Sequence, residues 1–209
     1  VAVMSSGVLG GTFDPIHNGH LAIAEEAAFK LRLKRVLFVP AGDPWLKEQT
    51  NVTAAAHRLE MLKLALADRP HFRVSTVDLQ RPGPSYTDDT LADLMSQLGP
   101  EAEMYFILGI DALADFDRWR NPQRILQMCT LVAARRRGAL AVDMTSLEQR
   151  LPGISRRLVL LDNRLVDISS TDIRRRVASG LTITGLVPPA VERYIREQRL
   201  YQFTQGQQA

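Results

Sequence analysis

Residues 7–31 read GVLGGTFDPIHNGHLAIAEEAAFKL. A short apolar run ends in Gly10 and Gly11, a loop GTFDPIH follows, and apolar residues then recur at helical spacing, with Leu21, Ala24, Ala28 and Leu31 on one face. Strand, glycine loop and helix in that order predict the first crossover of a parallel α/β sheet. The same alternation continues outward. RVLFVPA (35–41), FRVSTVDL (72–79), MYFILG (104–109), TLVAARR (130–136) and RRLVLLD (156–162) read as strands. AAAHRLEMLKLALAD, with Thr53 as its N-cap, and DDTLADLMSQL read as helices. MYFILG is almost continuously apolar, which marks a strand buried on both faces. SSTDIRRRVASG predicts a short helix, with Ser169 and Asp172 spaced like a capping box and Gly180 as its stop. Pro188 and Pro189 open a last amphipathic helix through Tyr201. Such sheets bind ligands beyond the carboxyl ends of their strands.

A chain of 209 residues suits one domain, read here as 1–201, with residues 202–209 a polar, disordered tail. The net charge of +3 fits nucleic acid or phosphate-bearing small molecules equally well. An RNA-binding module would draw on the two RRR runs, but the chain carries no aromatic-bearing strand signature or basic recognition helix, so no nucleic-acid partner is expected. Cys129 is the only cysteine, which excludes an intrachain disulfide and a cysteine-built metal site and suits a reducing cytoplasm. VAVMSS has no basic n-region, and no apolar run reaches the length of a membrane span, so no membrane partner is expected either. Nothing in the chain specifies an oligomeric state.

The chemistry gathers in two motifs. Gly10 and Gly11 let the backbone approach a ligand and permit positive φ. Free amides at the following helix start attract anions. His17 and His20 share one face of that opening turn, and Gly19 between them removes a side chain that would crowd the ligand. Other readings stand beside this one: a histidine near a helix start is commonly a cap, and an H-x-x-H pair supplies two zinc ligands where three or four are needed. The loop is neither a Walker A sequence nor a dinucleotide G-x-G-x-x-G. The second motif, ISSTDIR (168–174), offers hydroxyls, amides and the Arg174 fork as a second polyphosphate clamp. Its plainer reading is a helix cap followed by a solvated basic face, Arg174 to Arg176.

Taken together, GGTFDPIHNGH and ISSTDIR, about 150 residues apart, resemble the nucleotidylyltransferase superfamily, and more closely its bacterial nicotinate-nucleotide adenylyltransferases. PGPSYTDDTL, LGIDAL with a tryptophan soon after, and LVPPAVERYI fit the same family. The resemblance implies a Rossmann-like doubly wound parallel sheet with helices on both faces and a small C-terminal helical part. It implies adenylyl transfer from ATP to nicotinate mononucleotide, giving deamido-NAD and pyrophosphate in NAD biosynthesis. By that match His17, His20 and Arg174 are catalytic. Gly10, Gly11, Thr12, Phe13, Gly109, Asp111, Ile168, Ser170 and Thr171 bind ATP, with Ser170 and Thr171 on the β- and γ-phosphates and Ile168 near the adenine. Thr87, Trp119 and Lys47 meet the pyridine nucleotide. Lys47 lies in Pro44-Trp45-Leu46-Lys47, where the family's P-P-H-K has its second proline and histidine replaced. Mg²⁺ is expected to ride on the ATP phosphates with waters, without a protein-built metal site. Nicotinamide mononucleotide and phosphopantetheine remain alternative acceptors within the same fold.

Overall fold

A computed structural model describes residues 4–43, 52–99, 101–136, 142–165 and 168–202. Its centre is β1 (Ser5–Gly11), the strand predicted from the opening stretch. β1 is paired in parallel with β2 (Arg35–Pro40) on one side, Leu9 standing opposite Phe38. On its other side lies β4 (Glu103–Gly109), with Leu9 opposite Ile107. β3 (Phe72–Val74) borders β2, while β5 (Thr130–Arg136) and β6 (Leu158–Leu165) extend the far side, all in parallel. The order β3-β2-β1-β4-β5-β6 is that of a doubly wound sheet, and chain direction across the sheet reverses between β1 and β4. The fold is the α/β Rossmann-like class expected from the sequence.

Side-chain alternation sorts the core into two layers. Leu9, Val36, Phe38, Ile107 and Val132 face α1 (Asn18–Lys30), α2 (Ala55–Leu66) and the C-terminal helices α8 (Ser170–Ala178) and α9 (Pro189–Glu197). Val8, Leu37, Val39, Phe106, Leu108 and Leu131 face the other helices. These are α4 (Thr87–Leu98), α5 (Ile110–Ala114), α6 (Pro122–Met128) and α7 (Met144–Arg150). Burial on both faces is why the strands read as apolar runs.

α1 turns the expected face of Leu21, Ala24, Ala28 and Leu31 to the core, with Ala27 also buried beside it. Three local expectations are corrected. The N-cap of α2 is Ala54, with no side-chain cap; Thr53 instead donates its N–H to the Asp14 carboxylate at 3.2 Å. FRVSTVDL is only half strand: the Ser75 N–H bonds the Phe38 carbonyl, and the chain then turns into α3 (Val77–Gln80). The Asp78 side chain of α3 is buried and accepts from the Thr90 hydroxyl at 2.7 Å. Finally, α9 ends at Glu197, since Arg199 and Tyr201 take left-handed φ of 52° and 63°. The expected tail beyond Gln202 lies outside the described residues.

The loops at the carboxyl end of the sheet are joined by a buried guanidinium. Arg58 of α2 is 2% exposed and donates at 2.8 Å to each of three carbonyls: Thr53, Thr12 after β1 and Ala41 after β2. Hydrogen bonds to a charged donor are among the strong ones, and three buried acceptors would lose their partner together. Arg58→Met is therefore expected to lower unfolding free energy by about 3 kcal/mol in urea denaturation. A loss well under 1 kcal/mol would contradict the role.

Candidate active site

The start of α1 is closed by its own histidines. His17 is the N-cap in extended conformation, and its Nδ1 accepts the His20 N–H at 3.3 Å. His20 Nδ1 in turn accepts the His17 N–H at 3.3 Å. This is a capping box with imidazoles in the places usually held by a hydroxyl and a carboxylate. A ring nitrogen that accepts an N–H carries no proton, so both neutral rings carry theirs on Nε2. The capping and phosphate readings of these histidines are thus compatible: the cap uses Nδ1, and a phosphate needs Nε2–H. The rings stack with centroids 3.6 Å apart, and the Phe13 ring meets His20 edge-on at 5.1 Å. Burial lowers the His17 pKa to about 4, so at neutral pH it is an uncharged donor. Gly19 serves the cap itself, because a Cβ there would stand 3.0 Å from His17 Nδ1. Among the described residues no group of three His, Cys, Asp or Glu side chains could hold a metal ion.

The second motif meets the first in the loop just ahead of this cap. Ser170 Oγ donates to the Pro15 carbonyl at 2.9 Å. Arg174 Nη1 donates to the Asp14 carbonyl at 2.6 Å, and its Nη2 to Thr171 Oγ1 at 3.4 Å. Ile168 sits 3.7 Å from where a Gly19 Cβ would stand. Ser169 caps α8 by accepting the Asp172 N–H at 3.1 Å. The reciprocal half of that capping box is not made, since the Asp172 carboxylate pairs with Arg175 and Arg176. Of the three consecutive arginines, Arg175 and Arg176 share the one Asp172 carboxylate on their own helix, and Arg174 turns to the loop.

At the switch point an aromatic ring packs beside each glycine of the pair, on opposite faces of β1. A Cβ on Gly10 would lie 3.6 Å from the Phe106 ring, and one on Gly11 3.2 Å from the Phe13 ring. Neither glycine uses positive φ; the left-handed residue of this loop is Phe13, at φ 52°. Thr12 is partly buried and gives its carbonyl to Arg58. Gly109 caps α5 at the end of β4, and Asp111 is exposed in that helix's first turn.

Thr87 opens α4, partly buried. Trp119 is half-buried with its indole against Phe116 at 5.3 Å and Phe106 at 6.0 Å, so one part of the ring belongs to the core. The two segments are clamped together by Asp88. Its carboxylate is fully buried and accepts from Arg120 Nε and Asn121 Nδ2, both at 2.9 Å. Burial pushes the Asp88 pKa up, but those two hydrogen bonds and the Arg120 and Arg124 charges outweigh it and hold it below the ordinary value. Arg120 also lies 4.1 Å over the Tyr86 ring. Lys47 lies outside the described residues.

A cytidylyltransferase-like family model matches residues 8–176, a span that includes both motifs. The chain belongs to the cytidylyltransferase-like family. Within it, the chain is 46% identical over 198 residues to a protein of Dehalococcoides mccartyi (strain CBDB1), covering 95% of this chain and 97% of that one. It is 50% identical over 195 residues to one of Roseiflexus sp. (strain RS-1), covering 93% and 96%. Both relatives carry the name "Probable nicotinate-nucleotide adenylyltransferase". A Plasmodium falciparum nicotinic acid mononucleotide adenylyltransferase complexed with NaAD superposes with a TM-score of 0.77 at 21% identity, covering 96% of this chain and 98% of that one. At that identity the likeness is one of fold.

Three residues of this family member escaped the sequence reading of the site. Asp14 was legible only as a loop former, Arg58 as one charge in a helix and Tyr201 as a helix end. A signal existed for Arg58: it lies three and four positions before Met61 and Leu62, on the buried stripe of α2, where a charge is unusual. Nothing local marks Tyr201.

The His17 shift gives a pH prediction. Its folded pKa, about 4, lies below the unfolded 6.5, so its contribution is present above pH 6.5 and is lost as pH falls toward 4. Between pH 7 and 4.5 the wild-type chain should lose about 2 kcal/mol more unfolding free energy than His17→Asn, which keeps an N-cap acceptor. Equal pH dependence of the two chains would contradict the buried neutral imidazole.

Proposed function

We propose that the chain transfers the adenylyl group of ATP to nicotinate mononucleotide, releasing pyrophosphate and forming deamido-NAD in NAD biosynthesis. The observation that carries this reading is the convergence of His17, His20, Ser170 and Arg174 on one loop, Asp14–His17, at the carboxyl edge of β1. ATP enters as its Mg²⁺ complex, the ion held by phosphates and water. Its triphosphate lies along the start of α1, where the amides and the Nε2–H groups of His17 and His20 face it. Ser170, Thr171 and Arg174 take the β- and γ-phosphates. The phosphate of nicotinate mononucleotide, already an anion, attacks the α-phosphorus in line and needs no general base. Pyrophosphate leaves toward Arg174. Positioning and charge stabilisation then supply the catalysis.

Gly10, Gly11, Thr12, Phe13, Gly109, Asp111 and Ile168 frame the nucleotide in this reading, with Asp111 on ribose hydroxyls. Thr87, Trp119 and Lys47 serve the pyridine nucleotide, and the Asp88 clamp fixes the spacing between Thr87 and Trp119. A carboxylate on the ring suits the amides at the start of α4 better than a carboxamide does. The cytoplasm is the site of action we assign, on the evidence of a single buried thiol. No helix among the described residues is long and apolar enough to cross a membrane.

Pyrophosphate release with MgATP and nicotinate mononucleotide, run beside nicotinamide mononucleotide and phosphopantetheine, tests the reading. Turnover should be fastest with the nicotinate form, and His20→Ala should lower kcat on the order of 10²–10³-fold. Faster turnover of another acceptor would reassign the substrate. Unchanged kcat in the variant would remove His20 from the chemistry.

A further inference from the structure

We propose that Tyr201 is a positioning residue for the triphosphate grip, acting through Asp14 from the last turn of the described chain. Its hydroxyl donates to Asp14 Oδ1 at 2.7 Å, across 187 positions of sequence. The same residue, Asp14, gives its main-chain carbonyl to Arg174. Its other carboxylate oxygen takes the Thr53 N–H. Asp14 is 3% exposed, so its carboxylate depends on these partners. The backbone adopts two unfavourable conformations to deliver the tyrosine. Arg199 and Tyr201 both have left-handed φ, which for non-glycine residues is sparsely populated and persists where the surroundings enforce it. The Leu200 N–H bond to the Ile195 carbonyl, 3.0 Å, and packing of Leu200 and Tyr201 on the core around α1 and α2 provide that enforcement.

The consequence for chemistry is specific. Asp14 and Pro15 are the acceptors on which Arg174 and Ser170 rest, and His17 follows two residues after Pro15. Without the Tyr201 hydroxyl, Asp14 keeps Thr53 on one oxygen and loses its donor on the other. The loop loosens at the point where Arg174 is held, and the pyridine side, built on α4 and residues 119–121, is not touched. This inference rests on the phosphate-binding reading of Arg174.

Tyr194 supplies the matched control. It lies on α9, seven residues earlier, and its hydroxyl pairs with His57 at 2.8 Å, a contact outside the site. Tyr201→Phe and Tyr194→Phe each delete a hydroxyl and keep the ring. Both should fold, with the larger loss in thermal stability in Tyr201→Phe, where a buried carboxylate loses a donor. Tyr201→Phe should weaken binding of MgATP and of pyrophosphate by about tenfold in calorimetry and lower kcat about tenfold, with KM for the pyridine nucleotide within about twofold. Tyr194→Phe should leave all four within about twofold. Equal behaviour of the two variants, or an equal rise of KM for both substrates in Tyr201→Phe, overturns the proposal. Failure of the unaltered chain to bind MgATP would instead strike the nucleotide reading on which it rests.

Discussion

A carboxylate removed from water must be met by donors, and the Asp14 carboxylate is almost wholly removed. Its donors come from Thr53, ahead of α2, and Tyr201, after α9. Its carbonyl collects Arg174 from α8. One residue in the first βα loop thus binds three parts of the chain that share no local sequence. Arg58 repeats the arrangement from beneath, gathering the carbonyls that follow β1 and β2. Because both groups are buried and charged, the loss of any one partner leaves part of that charge unmet, which makes the assembly cooperative. The loop they hold ends at His17.

The sheet explains why the arrangement is possible at that place. The order β3-β2-β1-β4-β5-β6 leaves a crevice where β1 and β4 send their crossovers to opposite faces. The Phe13 ring packs beside Gly11 on the α1 side, and the Phe106 ring beside Gly10 on the side of Trp119. In the proposed function, the polyphosphate and aromatic ends of the ligand would lie against the two faces of this one strand. The paired histidines contribute fixed geometry as well as hydrogen bonding, since each ring is locked by the other's backbone.

The sequence made the strand–glycine–loop–helix unit legible because its signals are local: the apolar period changes from strand to helix across a diglycine. The ISSTDIR segment was legible for the same reason, with Ser169 capping as its spacing implies. The failures fall where tertiary partners decide. FRVSTVDL has strand composition throughout, yet at the sheet edge only Phe72–Val74 finds a neighbour to pair with. Thr53 has the chemistry of an N-cap, and a buried carboxylate recruited its amide instead. Asp88 reads in the sequence only as part of the DDTLADLMSQL helix; its burial against Arg120 and Asn121 depends on a loop over 30 positions away. Two histidines at i and i+3 signalled a site without revealing that each caps the other.

The most direct test of the account is a crystal structure of the chain with a non-hydrolysable MgATP analogue. The account predicts phosphate oxygens within hydrogen-bond distance of His17 Nε2, His20 Nε2 and the Arg174 guanidinium, with the Arg174–Asp14 and Tyr201–Asp14 contacts intact. A triphosphate seated away from the α1 N-terminus, or bound only after Arg174 has left the Asp14 carbonyl and the loop has moved, would contradict it.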